Sequence, residues 1–196
     1  MGRDTMPEGR KAEIVLAAAA LLEEHGEAGL SLREVAKVVG MKLASLQYHF
    51  PNKAELMTAI LNHIMEAYLV EIDAAVASAG TDPVEQLKSA ARILSGLGQT
   101  EASDGRLEIH LWSMALTDPS VRKTMNECHK YYIDKMAGMI VAANSAVDSQ
   151  EARRRAVLIA SLQEGSMLFV DYEVTGLSEK TICESIYQTS IHIALA

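Results

Sequence analysis

Apolar residues recur at helical spacing from near the start of the chain. Ile14, Ala17, Ala18, Leu21 and Leu22 fall on one face, which predicts a first helix from about Glu8 to His25, stopped by Gly26. Ser31-Leu32-Arg33-Glu34 matches a capping box, with Ser31 as N-cap and Glu34 reaching back. The short helix it opens carries Val35, Ala36 and Val39 inward and ends at Gly40. A third helix spans Leu43 to His49, because Pro51 disfavours helix at Phe50. Asn52 then caps a fourth, long helix with Glu55 at its third position; Leu56, Ile60, Ile64, Leu69 and Ile72 keep its apolar stripe until Gly80.

The same punctuation continues. Asp82-Pro83 restarts a helix, with Pro83 at the first helical position. Gly96, Gly98 and the polar stretch 99–105 break the pattern before a helix carrying His110, Trp112 and Leu116. Asp118-Pro119 caps another that runs to about Ala143, Asp148 opens one ending near Gly176, and Ser178 starts the last. No segment sustains the period-two alternation of a strand. The reading is an all-α chain of about nine helices.

Composition fits this. Hydrophobic residues are 49% of the 196, enough for a sizeable core, while aromatics are only 5%. The net charge of −8 argues at first against a nucleic-acid partner, but it is unevenly placed. Residues 1–53 hold seven basic and seven acidic side chains, and residues 54–196 hold eleven and nineteen, so the second segment carries the whole imbalance. A neutral head on an acidic body suits an N-terminal DNA module whose body phosphates repel. Cys128 and Cys183 form no CxxC, which excludes a disulfide framework or zinc cluster and suits a reducing compartment. The run Ile14–Leu22 is too short to span a membrane and is followed by Glu23, Glu24 and His25 instead of a cleavage site. The chain therefore reads as cytoplasmic and unprocessed, with no membrane partner and no cofactor or metal.

The chemistry concentrates between Ser31 and Lys53. Two short helices joined by a tight glycine turn suit a helix-turn-helix. Gly40 tolerates positive φ at the turn, and Met41 is expected to tuck beneath it. Leu46 and Phe50 give the second of these helices an apolar inner face. Lys42, Ser45, Gln47, Tyr48 and His49 supply an outer face able to meet bases and phosphates. Lys53 stands at the N-terminus of the fourth helix, where its ammonium and free backbone N–H groups together attract phosphate.

The stretch LSLREVAKVVGMKLASLQYHFPNKAELMTAIL resembles the DNA-binding domain of the TetR family (TetR/AcrR-type). The likeness lies in the Ala36–Gly40 spacing and in the run from Ala44 through Leu56, about a quarter of the chain. It implies an N-terminal three-helix domain (1–53) joined to a larger helical ligand-binding and dimerisation domain (54–196). It further implies a homodimer on a palindromic double-stranded operator, acting as a repressor released by a small apolar or amphipathic effector. Carried over by position, Lys42, Leu43, Ala44 and Ser45 begin the recognition helix. Tyr48 and His49 approach phosphates or groove, Lys53 clamps phosphate, and Ser31 and Arg33 meet the DNA backbone. Two departures stand out: Lys42 replaces a frequent Ser or Thr cap, and Gln47 replaces a frequent Tyr. Gln47 can pair bidentately with adenine.

In the body, Met65, Tyr68, Trp112, Leu116, His129, Tyr132, Met136, Gln163 and Met167 are candidates for an effector pocket, since Met adapts to varied apolar ligands. Met and aromatic residues at helical spacing serve a solid core equally well. For dimerisation, as the resemblance implies, Leu158, Leu162, Leu168 and Val170 are candidates on the eighth helix, with Ile182, Ile186, Ile191 and Leu195 on the ninth. Two rival functions remain at this level. An enzyme could use His110, His129, Glu108 and Asp171, although no HExxH, GxSxG, P-loop or dinucleotide fingerprint occurs. A helical scaffold protein would share the acidic all-α composition and differ only at Ser31–Lys53.

Overall fold

The computed structural model describes residues 9–97, 106–169 and 172–196, of which the side chains of Arg106, Tyr172 and Glu173 are left aside. Among the described residues the chain forms nine α-helices and no strand. They are α1 (Arg10–Gly29), α2 (Leu32–Val38), α3 (Leu43–His49), α4 (Lys53–Ser78), α5 (Pro83–Leu94), α6 (Arg106–Thr117), α7 (Pro119–Ala143), α8 (Ser149–Ser166) and α9 (Glu179–Leu195). The expected Glu8 start, the stretch 99–105, Val170 and Asp171 lie outside the described residues.

Side-chain caps set most of these starts. Ser31 Oγ accepts from the Glu34 amide at 3.2 Å, and Asp82, Asp148 and Ser178 do the same for Val84, Glu151 and Thr181. Ahead of α4, Asn52 Oδ1 accepts from the Glu55 amide while its Nδ2 donates to the Glu55 carboxylate, both at 2.9 Å. At Ser31 the return arm of the box does not form as expected. Glu34 turns along its own helix to Lys37, 3.7 Å away.

Two boundaries differ from the sequence pattern. Gly26 does not end α1; it bends it, at φ 64°, and helical residues continue to Gly29. The eighth helix stops at Ser166 instead of near Gly176, and two short 3₁₀ turns follow, Met167–Phe169 and Tyr172–Thr175. Ser166 Oγ donates to the Gln163 carbonyl at 2.6 Å, and the Met167 amide reaches the Glu164 carbonyl. Such contacts tighten the last turn and compete with the α-helical ladder.

The described residues divide into two compact units, one of residues 1–67 and 106–128, the other of residues 68–105 and 129–196. In the first, α1 packs on α2 and α6, and α2 packs on α3. Its core joins Ile14, Val15, Ala18 and Leu22 of α1 to Val35, Leu46, Phe50, Leu56, Met57 and Ile60. Leu107, Leu111, Met114, Val121 and Met125 complete it. In the second, α9 packs on α8 and α5 around Leu87, Met136, Ile140, Ala152, Ala156, Ile159 and Ala194. No helix among the described residues is long and apolar enough to cross a membrane.

Candidate nucleic-acid interface

The α2–α3 pair is built from inside outward. Val35 and Ala36 bury the inner face of α2, and Leu46 (0% exposed) with Phe50 buries that of α3. Between them Gly40 takes φ 64°, the left-handed region closed to most side chains. The Met41 amide donates to the Ala36 carbonyl at 2.8 Å, and the Met41 side chain packs against the core, as the turn requires. With one face fixed, the other must point outward. Lys42, Ala44, Ser45, Gln47 and Tyr48 are exposed, Tyr48 at 87%. Leu43 and His49 are half-buried at the edge, and the Tyr48 and His49 rings meet edge to face with centroids 5.6 Å apart. Ser31 and Arg33 are exposed at the start of α2.

Lys42 occupies the N-cap position of α3 and makes no side-chain cap hydrogen bond. The backbone N–H groups there are therefore not closed off by the chain's own side chain at that position. Lys53 is placed differently from a free surface lysine. Its Nζ donates to the Glu27 carbonyl at 3.1 Å and lies 3.6 Å from the Glu27 carboxylate, tying the start of α4 to the end of α1.

Sequence reasoning missed several positioning residues. Arg10 donates to the Val39 carbonyl at 2.7 Å, closing the C-terminal end of α2 from α1. Lys11 stands over the Phe50 ring at 6.0 Å. His110 on α6 packs against the bend at Gly26. All three contacts span distant stretches of sequence, and no local pattern announces them.

The body candidates fall in both units. In the first, Met65 is half-buried on α4, while Trp112 and Leu116 on α6 are exposed, Leu116 at 80%. In the second, Tyr68 and Met167 are half-buried and Met136 is buried. There α7 and α8 bring four side chains into one polar cluster: Tyr132 donates to Gln163 Oε1, and His129 Nε2 lies 3.0 Å from the Glu164 carboxylate. Burial, helped by the Glu164 carboxylate, raises the Tyr132 phenol above its ordinary range. Glu164 was not singled out from sequence, although it adjoins Gln163. Of the dimer candidates, Leu158 and Leu168 are exposed, Leu162, Ile182, Ile191 and Leu195 are half-buried, and Ile186 is buried within its own chain. Val157, Phe169, Val174 and Leu177 are further exposed apolar residues in this part of the chain.

Residues 14–60 match the model of the bacterial regulatory proteins, tetR family. An uncharacterized HTH-type transcriptional regulator in the dhlA 5′ region of Xanthobacter autotrophicus is 28% identical over 97% of this chain and 91% of its own length. A TetR transcription regulator from Haloarcula marismortui shares the fold with a TM-score of 0.77 at 20% identity, covering 94% of this chain and 95% of that one. A protein from Saccharomonospora viridis solved in complex with choline does so with a TM-score of 0.72 at 19% identity, covering 91% and 93%. The matched segment contains the whole α2–α3 pair and the α1 and α4 residues of its core, so the N-terminal part of the chain carries a helix-turn-helix of the kind found in bacterial regulatory proteins of the tetR family, while the chain as a whole is similar to an HTH-type transcriptional regulator and has the fold of a TetR transcription regulator.

Proposed function

We propose that the chain is a ligand-responsive repressor that binds a palindromic operator as a homodimer in the cytoplasm. The observation that carries this reading is the outer face of α3. Lys42, Ser45, Gln47 and Tyr48 are held outward by an inner face that is fully buried at Leu46. In this reading Gln47 and Ser45 address base edges, while Lys42, Tyr48, His49, Ser31, Arg33 and Lys53 position the DNA backbone. Leu43 and Ala44 let the start of α3 approach the groove closely. A helix of seven residues makes few contacts, so two copies on two half-sites are needed for useful affinity. The functional division falls at residue 53, with 1–53 reading DNA and 54–196 serving dimerisation and effector binding.

Exposed Leu158 and Leu168 support α8 and its C-terminal side as the dimer face, joined by Leu162, Ile182 and Ile191. The polar cluster of Tyr132, Gln163, His129 and Glu164, with Gln163 buried and the others half-buried, supports an effector site within the second unit, with Tyr68, Met136 and Met167 as its candidate apolar lining; Met65, Trp112 and Leu116 belong to the first unit and are not placed in this site. The test is binding to duplex from the protein's own promoter region, at several salt concentrations, followed by footprinting. Two symmetric half-sites protected by a dimer, with affinity falling steeply as salt rises, are expected. Binding unchanged by both Lys42→Ala and Tyr48→Ala would remove α3 as the recognition helix.

A further inference from the structure

The side chain of Gln163 is 6% exposed, and its Nε2 has no hydrogen-bond partner. A primary amide carries two N–H donors on that nitrogen, and a buried donor left unpaired is costly and rare in a native interior. The carbonyl side of the same amide is engaged, because the Tyr132 hydroxyl donates to Gln163 Oε1. The amide is thus held in place from one side and offers its donors on the other. Both residues belong to the second unit, where Tyr132 also packs against the apolar cluster of Leu87, Met136, Ile140 and Ile159.

We propose that Gln163 is the polar anchor of the effector site, and that the effector is a neutral, mainly apolar molecule presenting a carbonyl-type acceptor to Gln163 Nε2. This rests on the effector reading above and names the ligand class for it. The surrounding charges select against the alternatives. Glu164 follows Gln163 in the chain and places a carboxylate beside the cluster, which repels an anionic ligand. That carboxylate is already engaged by His129 Nε2 at 3.0 Å, so it is not an open counter-charge for a cation. An N–H donor facing the ligand adds a further penalty for an ammonium group. A ketone, ester or amide oxygen satisfies the orphan donor without bringing charge.

The experiment measures binding of four probes to the full chain by calorimetry: acetophenone, its near-isostere ethylbenzene, benzoate and choline. Acetophenone is expected to bind about tenfold more tightly than ethylbenzene, the equivalent of one hydrogen bond to a buried donor. Gln163→Leu should bring the two to within about twofold, by weakening acetophenone while leaving ethylbenzene unchanged. The double variant Tyr132→Phe/Gln163→Leu leaves neither polar partner alone in the interior, so it guards against misfolding and should show the same equalised pair. Equal binding of ketone and hydrocarbon by the wild type would overturn the acceptor proposal and leave an apolar effector site standing. Tighter binding of benzoate or choline would overturn it as well. Failure of all four probes to bind the wild type would overturn both the acceptor proposal and the effector reading beneath it.

Discussion

Lys53 donates to the main-chain carbonyl of Glu27 at 3.1 Å, so the residue that heads α4 also fastens the end of α1. The lysine is half-buried, and its ammonium lies 3.6 Å from the Glu27 carboxylate. A phosphate approaching the start of α4 therefore meets a cation already oriented by its own chain. Lys53→Met keeps the aliphatic stem and removes the donor. It is expected to cost about 1 kcal/mol, read as a fall of roughly 2–4 °C in Tm for a chain of this size. If Lys53 also contacts phosphate, the salt slope of operator binding falls by about one. An unchanged slope with a lowered Tm would assign it a structural role alone.

Gly26 and His110 form a second long-range pair. A Cβ at Gly26 would lie 3.0 Å from His110 Cε1, at a backbone φ of 64°. Gly26→Ala thus meets both an unfavourable conformation and a ring that must give way. At φ 64° and ψ −169°, a region essentially reserved for glycine, the backbone part alone is about 1–3 kcal/mol. Chemical denaturation of Gly26→Ala, His110→Ala and the double variant separates the two parts. The double variant should recover only the contact share, leaving the conformational cost in place.

On α3, the two departures from the family pattern should affect binding differently. Lys42→Ala is expected to weaken binding to all duplexes alike and to lower the salt slope by about one. Gln47→Ala should act at one base-pair position, relaxing preference there by about 1–3 kcal/mol. Competition binding across single-base operator variants distinguishes a uniform loss from a positional one.

Asp118 caps α7 through Ser120 and Val121, with its carboxylate accepting from the Ser120 hydroxyl at 2.6 Å and amide at 2.8 Å. The Ser120 hydroxyl, then the two amides, hold its pKa below the ordinary carboxylate value. Since the folded value lies below the unfolded one, this cap contributes fully above the unfolded pKa, near 4. Its contribution is lost as pH falls through the depressed folded value. Asp118→Asn keeps an acceptor at the cap and removes the titration. Its stability difference from wild type, measured by thermal unfolding, should shrink steadily between about pH 4 and the depressed folded value.

Cys128 is buried, and desolvation, with a smaller contribution from Glu127, pushes its thiol up to about 11. The thiolate is the reactive form, so native labelling should be slow. Alkylation of Cys128 near neutral pH is expected to follow global unfolding, accelerating with denaturant along the same curve as helix loss. Fast labelling in native buffer would place the thiol outside the core.

Most helix boundaries were legible because their causes are local. A hydroxyl or carboxylate three residues ahead of a free amide caps a helix whatever surrounds it, and α3 runs from Leu43 to His49 as its flanking signals require. The outward face of α3 was legible too, since Leu46 and Phe50 must turn inward. Where the pattern misled, the determinants were finer or more distant. The hydroxyl of Ser166, bonding back to the Gln163 carbonyl, ends α8 early, and Gly26 bends α1 instead of ending it.

By itself, then, the sequence determined an all-helical chain and a helix-turn-helix segment between Ser31 and Lys53, since caps, turn glycine and apolar period all act within a few residues. Only the tertiary structure decided which side chains brace that segment. Arg10 closes α2 from 29 positions away and Lys53 reaches Glu27 across 26. It likewise decided that Gln163, one polar residue among many, is buried with Tyr132 on one side of its amide and no partner on the other. Hydrogen bonds between distant helices depend on how those helices pack, and packing is a property of the whole chain that no local window contains.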